Sequence, residues 1–192
     1  GPMVWLDGLD MHIVNLCDAS FRENYPGRVH PTDRAEGSAY AEAGRNLLPI
    51  DYKAARPQVS PIFNYPYRVT REALDGFSRN RDPDACHGYK MQYVNPLTGG
   101  TAMPTMTTAM QLLPKGFRGE PYRCTAGTVY SVVEGAGTAV IGEQRFAFGA
   151  RDHFVVPSWH PLRLESTSDA VLFSFSDRVV QEKLDFFREL RG

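Results

Sequence analysis

The chain has 192 residues, of which 42% are hydrophobic and 22% charged, values typical of a folded protein and not of a disordered one. Its 21 basic and 22 acidic residues give a formal net charge of −1, so no overall charge attracts it to nucleic acid or to an anionic membrane. We therefore expect neither a nucleic-acid partner nor a membrane partner. The 17 glycines and 14 prolines predict many turns and hence a β-rich fold.

Apolar runs and cysteines indicate the compartment. The longest apolar runs, such as Ala170–Phe173, are only a few residues long and cannot span a bilayer. The chain does not open with a basic stretch followed by an apolar one, so no signal peptide is visible. Cys17, Cys86 and Cys124 are odd in number and lack the CxxC spacing, which indicates reduced thiols. These features predict a cytoplasmic protein.

Residues 1–60 are interpreted as an extended, partly helical segment with no core of its own, because prolines interrupt it repeatedly. Short strands are predicted at 4–6 and 12–14, and a helix over 37–48 that ends before Pro49. A second helix is predicted from Thr70, a good N-cap residue, to 77 or 78. With so few periodic apolar positions, this segment must pack on another part of the protein.

From about residue 88 the pattern changes to short strands bounded by Gly, Pro or Asp. Seven are predicted, at 105–113, 127–133, 137–141, 145–148, 153–156, 162–165 and 170–175. Strands at this spacing are typical of an antiparallel sandwich or a small barrel. Asp177 is then predicted to cap a C-terminal helix whose apolar stripe is Val180, Leu184 and Phe187.

The glycines of one stretch have the spacing of the first cupin motif, G-x5-H-x-H-x3-E-x6-G. Gly116 and Gly135 fit this frame, but Tyr122 and Cys124 occupy the two histidine positions and Thr128 the glutamate position. Alternate residues of a strand point to the same face, so Tyr122 and Cys124 should both face the barrel interior.

The stretch 157–162 lies where the second cupin motif, P-x-G-x-x-H, would supply a third histidine. Leu162 occupies that place if the spacing is kept, and His160 occupies it if the loop is two residues shorter. At most one of the three imidazoles is therefore retained.

Long contiguous strings carry a resemblance to a known family: 5–10, 60–67, 93–100, 132–135, 154–160 and 173–177. On these residues the chain resembles the C-terminal half of the gentisate 1,2-dioxygenase family, bicupin ring-cleaving enzymes that include salicylate and 1-hydroxy-2-naphthoate dioxygenases. The resemblance implies an all-β cupin, that is, a double-stranded β-helix or jelly-roll-like barrel. An irregular, partly helical N-terminal linker at 1–60 would precede a C-terminal cupin domain at 61–192, which ends in a helix.

The resemblance also implies a role in the breakdown of aromatic compounds. In a bicupin enzyme this chemistry can belong to the N-terminal or to the C-terminal cupin. The family inserts O₂ into aromatic rings at a non-haem Fe(II) that three histidines hold in the N-terminal cupin, and none of those ligands has a counterpart here. We therefore expect no catalytic residue and no cofactor in this chain, with Fe(II) in the intact enzyme. The leading hypothesis is a structural and oligomerising half. The alternatives are Fe(II)-dependent gentisate-type dioxygenase activity in this chain and a module that binds an aromatic acid.

The candidate pocket residues each have two interpretations. Tyr122, Cys124 and Leu162 are interpreted as barrel lining in preference to metal ligands, because neutral phenol and thiol groups bind Fe(II) poorly. His160 is the remaining metal candidate, although a structural hydrogen bond is favoured. The other candidates are the aromatic residues and arginines that could hold an aromatic acid or its carboxylate: Tyr130, Trp159, Arg123 and Arg163.

Association is predicted from the start of the chain. Trp5, Leu6 and Leu9 are apolar residues that would complete a sheet of another cupin in a bicupin. Left uncovered, they favour a homodimer in which each opening segment lies on the partner's barrel.

Overall fold

The computed structural model describes residues 1–3 and 5–192, so the strand predicted at 4–6 lies partly outside the described residues. Within these described residues, four helices and ten strands follow one another. The helices are α1 (Met11–Leu16), α2 (Ser38–Ala43), α3 (Tyr67–Arg79) and α4 (Arg178–Lys183). The strands are β1 (Tyr89–Gln92), β2 (Thr107–Leu113), β3 (Tyr122–Cys124), β4 (Thr128–Glu134), β5 (Gly137–Ile141), β6 (Gln144–Phe148), β7 (His153–Val156), β8 (Leu162–Ser166), β9 (Ala170–Ser176) and β10 (Glu189–Arg191).

The strands form two five-stranded antiparallel sheets, which confirms the predicted all-β fold. The first sheet has the order β1-β2-β9-β4-β7 and the second has the order β10-β3-β8-β5-β6. Along β5 and β8 every second residue is buried, as the period of two requires for strands with one face inside. One half of the interior between the sheets is filled by apolar side chains. They include Leu113, Val132, Leu164 and Leu172.

A second core lies on the outer face of the first sheet, where α3 covers the strands. Leu74 of α3 is fully buried there against Tyr89, Met110, Leu112 and Val171. β1, β2 and β9 therefore bury residues on both faces, one toward the interior and one toward α3. Helix α3 is part of the packed structure, whereas most of the described residues before it are exposed.

All seven predicted strands occur with bounds within two residues, and three more strands were missed. β1, β3 and β10 have only three or four residues each and lack a clear alternation. The predicted apolar stripe of the C-terminal helix is wrong. The helix ends at Lys183, Val179 is its buried residue, and Leu184 is 54% exposed. A positive φ at Asp185 turns the chain away so that β10 can pair with β3.

The other predicted local elements also need correction. Residues 12–14 lie in α1 and are not a strand, because Val14 N–H donates to the Asp10 carbonyl in the helical pattern. Helix α2 is shorter than the predicted 37–48, and α3 begins three residues before Thr70. Helix α3 begins early because Pro66, which has no N–H group, occupies its N-cap position. In the described part of the chain, every helix is too short or too polar to cross a membrane.

The opening segment contacts its own barrel near Asp10. Thr105 Oγ1 donates a hydrogen bond of 2.6 Å to Asp10 Oδ2. Beside it, Gly8 lies so close to the Phe175 ring that an added Cβ would stand 3.2 Å from it. The segment is thus held on the first sheet even though Trp5 and Leu9 remain 74% and 68% exposed.

Candidate functional site

The polar half of the barrel interior contains a cavity of about 580 Å³. Side chains of β1, β2, β3, β4 and β9 form its walls, and the loop before β1 together with α4 and β10 form its rim. A volume of this size falls in the range of pockets that hold small organic ligands. This cavity is the best-formed candidate site in the barrel.

Lys90 is the most unusual residue of the cavity. Its neighbours Tyr89 and Met91 pack outward in the α3 core, so alternation directs Lys90 inward, opposite Gln111 of β2. Its Nζ lies 5.5 Å from the centroid of the Tyr130 ring. Nζ forms neither a hydrogen bond nor an ion pair with any of the described residues. Burial lowers the pKa of the Lys90 ammonium to about 8.

Two of the three carboxylates that line the cavity with Lys90 are paired with other cations, and the third, Asp82, is exposed at the rim. Asp84 accepts a hydrogen bond of 2.6 Å from Arg191, and Glu182 accepts one of 2.7 Å from Arg178. Lys90 is therefore a half-buried cation that forms no ion pair with Asp84 or Glu182, an arrangement that costs free energy unless something else compensates it.

His87 also lies at this end of the barrel. Its ring makes an edge contact with Tyr122, with centroids 4.4 Å apart. Burial, and after it the charge of Lys90, lowers the pKa of His87 to about 3, so the imidazole is neutral at pH 7. Its Nδ1 is buried and has no hydrogen-bond partner among the residues that the structure describes.

Three of the predicted pocket residues line this cavity: Tyr122, Cys124 and Tyr130. Tyr122 Oη donates a hydrogen bond of 2.8 Å to Glu189 Oε2, and the Cys124 thiol donates to the Ala126 carbonyl at 3.5 Å. Burial and the bond to Glu189 raise the pKa of the Tyr122 phenol, which therefore stays protonated. Leu162 is buried directly opposite Tyr122 in the strand register.

The other five predicted residues, Leu162 among them, do not line this cavity. The Arg123 guanidinium lies 5.0 Å from the centroid of the Trp159 ring, which is 42% exposed. The His160 side chain is exposed and places its Nδ1 3.1 Å from the Ser158 carbonyl oxygen. His160 also borders a separate void of only about 10 Å³. Arg163 Nε lies 3.5 Å from Glu165 Oε1 at the surface of β8.

The residues at the cupin ligand positions do not fit an Fe(II) site. Tyr122 is a protonated phenol that is engaged with Glu189, and Leu162 has no donor atom. Fe(II) oxygenases use imidazole and carboxylate ligands with open positions. Within residues 1–3 and 5–192, no group of three or more His, Cys, Asp or Glu side chains could hold a metal ion.

A larger cleft of about 940 Å³ lies outside the barrel, between the N-terminal segment and α3. Tyr40, Leu47, Tyr65, Val69 and Tyr93 are among its lining residues. Its walls are mainly apolar, and it contains none of the residues that the cupin motifs predict.

Lys90 was missed by the sequence interpretation because β1 itself was missed. The available signal was a lysine between Tyr89 and Met91, two residues that favour a buried strand face. Lysine is mostly found exposed, so a half-buried lysine on the inner face of a barrel strand is a candidate site residue once the strand is known.

No family model matches the chain. It is 52% identical over 191 residues to gentisate 1,2 dioxygenase 1 of Aquipseudomonas alcaligenes, which covers 100% of this chain and 55% of the relative. It is 36% identical to the 5-aminosalicylate 1,2-dioxygenase of a Comamonas species, over 97% of this chain and 50% of the relative. The chain thus spans about half the length of the curated relatives that it matches.

The fold is similar to a solved structure, the salicylate 1,2-dioxygenase of Pseudaminobacter salicylatoxidans. The TM-score is 0.81 and the sequence identity 28%, over 95% of this chain and 53% of that chain. This likeness confirms the predicted cupin fold.

Proposed function

The chain is homologous to the C-terminal half of the gentisate 1,2-dioxygenase family, and on that premise we propose that it serves a ring-cleaving dioxygenase as a structural and oligomerising cupin without an iron site of its own. Residues 61–192 would form the cupin domain and residues 1–60 the linker. The relatives are named for gentisate, 5-aminosalicylate and 1-hydroxy-2-naphthoate, which supports a role in the breakdown of aromatic compounds.

The observation that carries this proposal is the chemistry of the barrel interior. Protonated Tyr122 and the Cys124 thiol stand at two cupin ligand positions, and Leu162 stands at the third. The same cavity contains the ammonium of Lys90, whose charge opposes the binding of a metal cation. The iron that such chemistry requires would then be held by another cupin.

Elemental analysis of the purified chain tests the absence of an iron site. After incubation with Fe(II) under anaerobic conditions and desalting, we expect far less than one iron per chain. We also expect no ring-opened product from gentisate, because the O₂-activating metal supplies that chemistry. One iron per chain that is lost in Cys124→Ser or His160→Ala, but kept in the control His12→Ala at an exposed histidine, would refute the proposal.

We propose a homodimer as the associated state. The N-terminal segment exposes large apolar side chains, among them Trp5, Leu9, Phe21 at 93% and Ile50 at 106%. Soluble proteins usually cover such groups, and a twofold copy of the same chain can do so with an interface of more than about 1,000 Å². The free thiols of Cys17, Cys86 and Cys124 support a cytoplasmic location.

Light scattering on the chain and on a version that lacks residues 1–16 tests the dimer. We expect a dimer for the chain and a monomer, or a weaker dimer, for the shortened version. A monomer in both cases, soluble at high concentration, would contradict the dimer. It would show that the contact of Asp10 with Thr105 holds the segment on its own barrel without a partner.

A further inference from the structure

The amino group of Lys90 is open to the barrel cavity. Lys90 is half-buried on the inner face of β1 and lines the cavity together with Gln92, the next inward residue of the same strand. Its Nζ lies 5.5 Å from the centroid of the Tyr130 ring and forms neither a hydrogen bond nor an ion pair within the described part of the chain. The nitrogen is therefore free to react with a molecule that enters the cavity.

The other charges of the cavity are balanced in number. Besides Lys90, three acidic and three cationic side chains line it: Asp82, Asp84, Glu182, Arg81, Arg178 and Arg191. Two of the acids accept hydrogen bonds from two of the cations, and the remaining two residues are adjacent and exposed at the rim. The other titratable side chains of the cavity are His87, Tyr122, Cys124 and Tyr130. This balance favours neither an anion nor a cation strongly, so a neutral molecule can enter.

The surroundings of Nζ make it an unusually weak base. Burial lowers the pKa of the Lys90 ammonium from the usual 10.5 to about 8. At pH 7 about one Lys90 in ten therefore carries a neutral amine, compared with about one in three thousand for a lysine with the usual pKa. A neutral amine has the lone pair that attacks an electrophilic carbon, and desolvated lysines form Schiff bases with carbonyl compounds in this way.

Hydroxyl groups lie beside this amine and can exchange protons with a bound molecule. The strand register places Ser174 between Ala109 and Tyr130, so its hydroxyl group is next to the ring that Nζ approaches. Thr128 lines the same wall. Ala109 leaves space beside these groups, and the cavity of about 580 Å³ accommodates a small organic molecule with several waters.

We propose that Lys90 forms a covalent imine with a small neutral aldehyde in the barrel cavity. The lone pair of Nζ attacks the carbonyl carbon, and the carbonyl oxygen takes up one proton that the nitrogen releases. This oxygen then leaves as water with the second proton of Nζ, and a C=N double bond forms. One amine and one aldehyde thus give one imine and one water, and neither is oxidised or reduced. The reaction requires neither iron nor a second cupin, so it is independent of the structural role proposed above.

Reductive labelling of the full chain with butanal tests the reaction, because sodium cyanoborohydride converts an imine into a stable secondary amine. The chain has four lysines, Lys53, Lys90, Lys115 and Lys183, and peptide mass spectrometry can measure the labelling rate of each. At pH 7 we expect Lys90 to be labelled at least about tenfold faster than the other three, which are exposed. This factor is smaller than the ratio of neutral amines, because a less basic nucleophile is also less reactive.

Two comparisons separate a reactive site from general lysine labelling. Lys90→Met should abolish the fast labelling, whereas the matched control Lys115→Met, at an exposed lysine outside the cavity, should keep it. In denaturing urea all four lysines should react at similar rates, because the cavity no longer exists. A Lys90 that reacts no faster than the exposed lysines of the native chain would overturn the proposal. A preference for Lys90 that persists in urea would overturn it as well.

Discussion

Replacing Lys90 by methionine should stabilise the chain when no ligand is present. The side chains have similar lengths, and methionine needs no partner inside a protein. The pKa of Lys90 falls from the usual 10.5 to about 8 because burial disfavours the ammonium. Each tenfold change in proton affinity corresponds to about 1.4 kcal/mol, so the charged native state is penalised by on the order of 3 kcal/mol at pH 7. We expect Lys90→Met to recover most of this penalty.

The sign of the pH dependence follows from the lowered pKa. Below pH 8 the lysine is charged in both the native and the unfolded state, and the full penalty is present. Between pH 8 and 10.5 the native state has lost the proton that the unfolded state still holds, so the stability of the wild type rises toward that of the variant. Above about pH 10.5 Lys90 is neutral in both states, and no penalty is left.

Urea denaturation of the wild type and Lys90→Met at pH 7 and pH 10 measures the effect. Lys115→Met controls for the loss of one positive charge from an exposed position and should change the unfolding free energy by less than about 0.5 kcal/mol. A Lys90→Met variant that is less stable than the wild type at pH 7 would refute the reasoning. So would a gain in stability that is the same at both pH values.

The remaining predictions concern the α3 core, the protonation of His87 and the backbone at Gly135. Leu74→Ala should lower the unfolding free energy by about 3 kcal/mol and the melting temperature by about 6–12 °C, whereas Leu47→Ala at a side chain that is 76% exposed should change little; equal effects would show that α3 is not part of the core. His87→Gln should remove about 1.4 kcal/mol per pH unit of the stability loss between pH 6 and 4 in urea titrations, because the native imidazole resists the proton that the unfolded one binds below pH 6.5; an unchanged acid profile would contradict the neutral imidazole. Gly135→Ala should destabilise the chain by more than about 3 kcal/mol, since φ is +77° there and the added Cβ would collide with the Asp169 carbonyl oxygen; a melting temperature near that of the wild type would rule this out.

The strands that the sequence predicted are those with local signals. In 162–166 apolar residues alternate with polar ones, 137–141 is a short run with β-branched residues, and turn residues bound each run. The glycine frame was also local, since Gly116 and Gly135 both have the positive φ that favours glycine. These features depend on neighbours in sequence and can therefore be predicted without knowledge of the tertiary structure.

β3 and β10 could not be predicted in the same way. Each has three residues and is defined by pairing with segments distant in sequence: β10 pairs with β3, with Arg191 opposite Tyr122, and β3 also pairs with β8. The C-terminal helix is shortened by the same pairing, because the chain must leave the helix to reach β3. No local pattern encodes a contact between residues that lie so far apart in sequence.

The sequence by itself therefore determined the all-β cupin fold and the positions at which Tyr122, Cys124 and Leu162 replace the histidines, because alternation and glycine spacing are local properties. The tertiary structure alone decided which charge faces the barrel interior. Lys90 points inward because α3 covers the opposite face of β1, and the nearby Asp84 is engaged by Arg191, which lies more than a hundred residues away in sequence. The electrostatics of a cavity depend on every element around it, and only the folded chain brings these elements together.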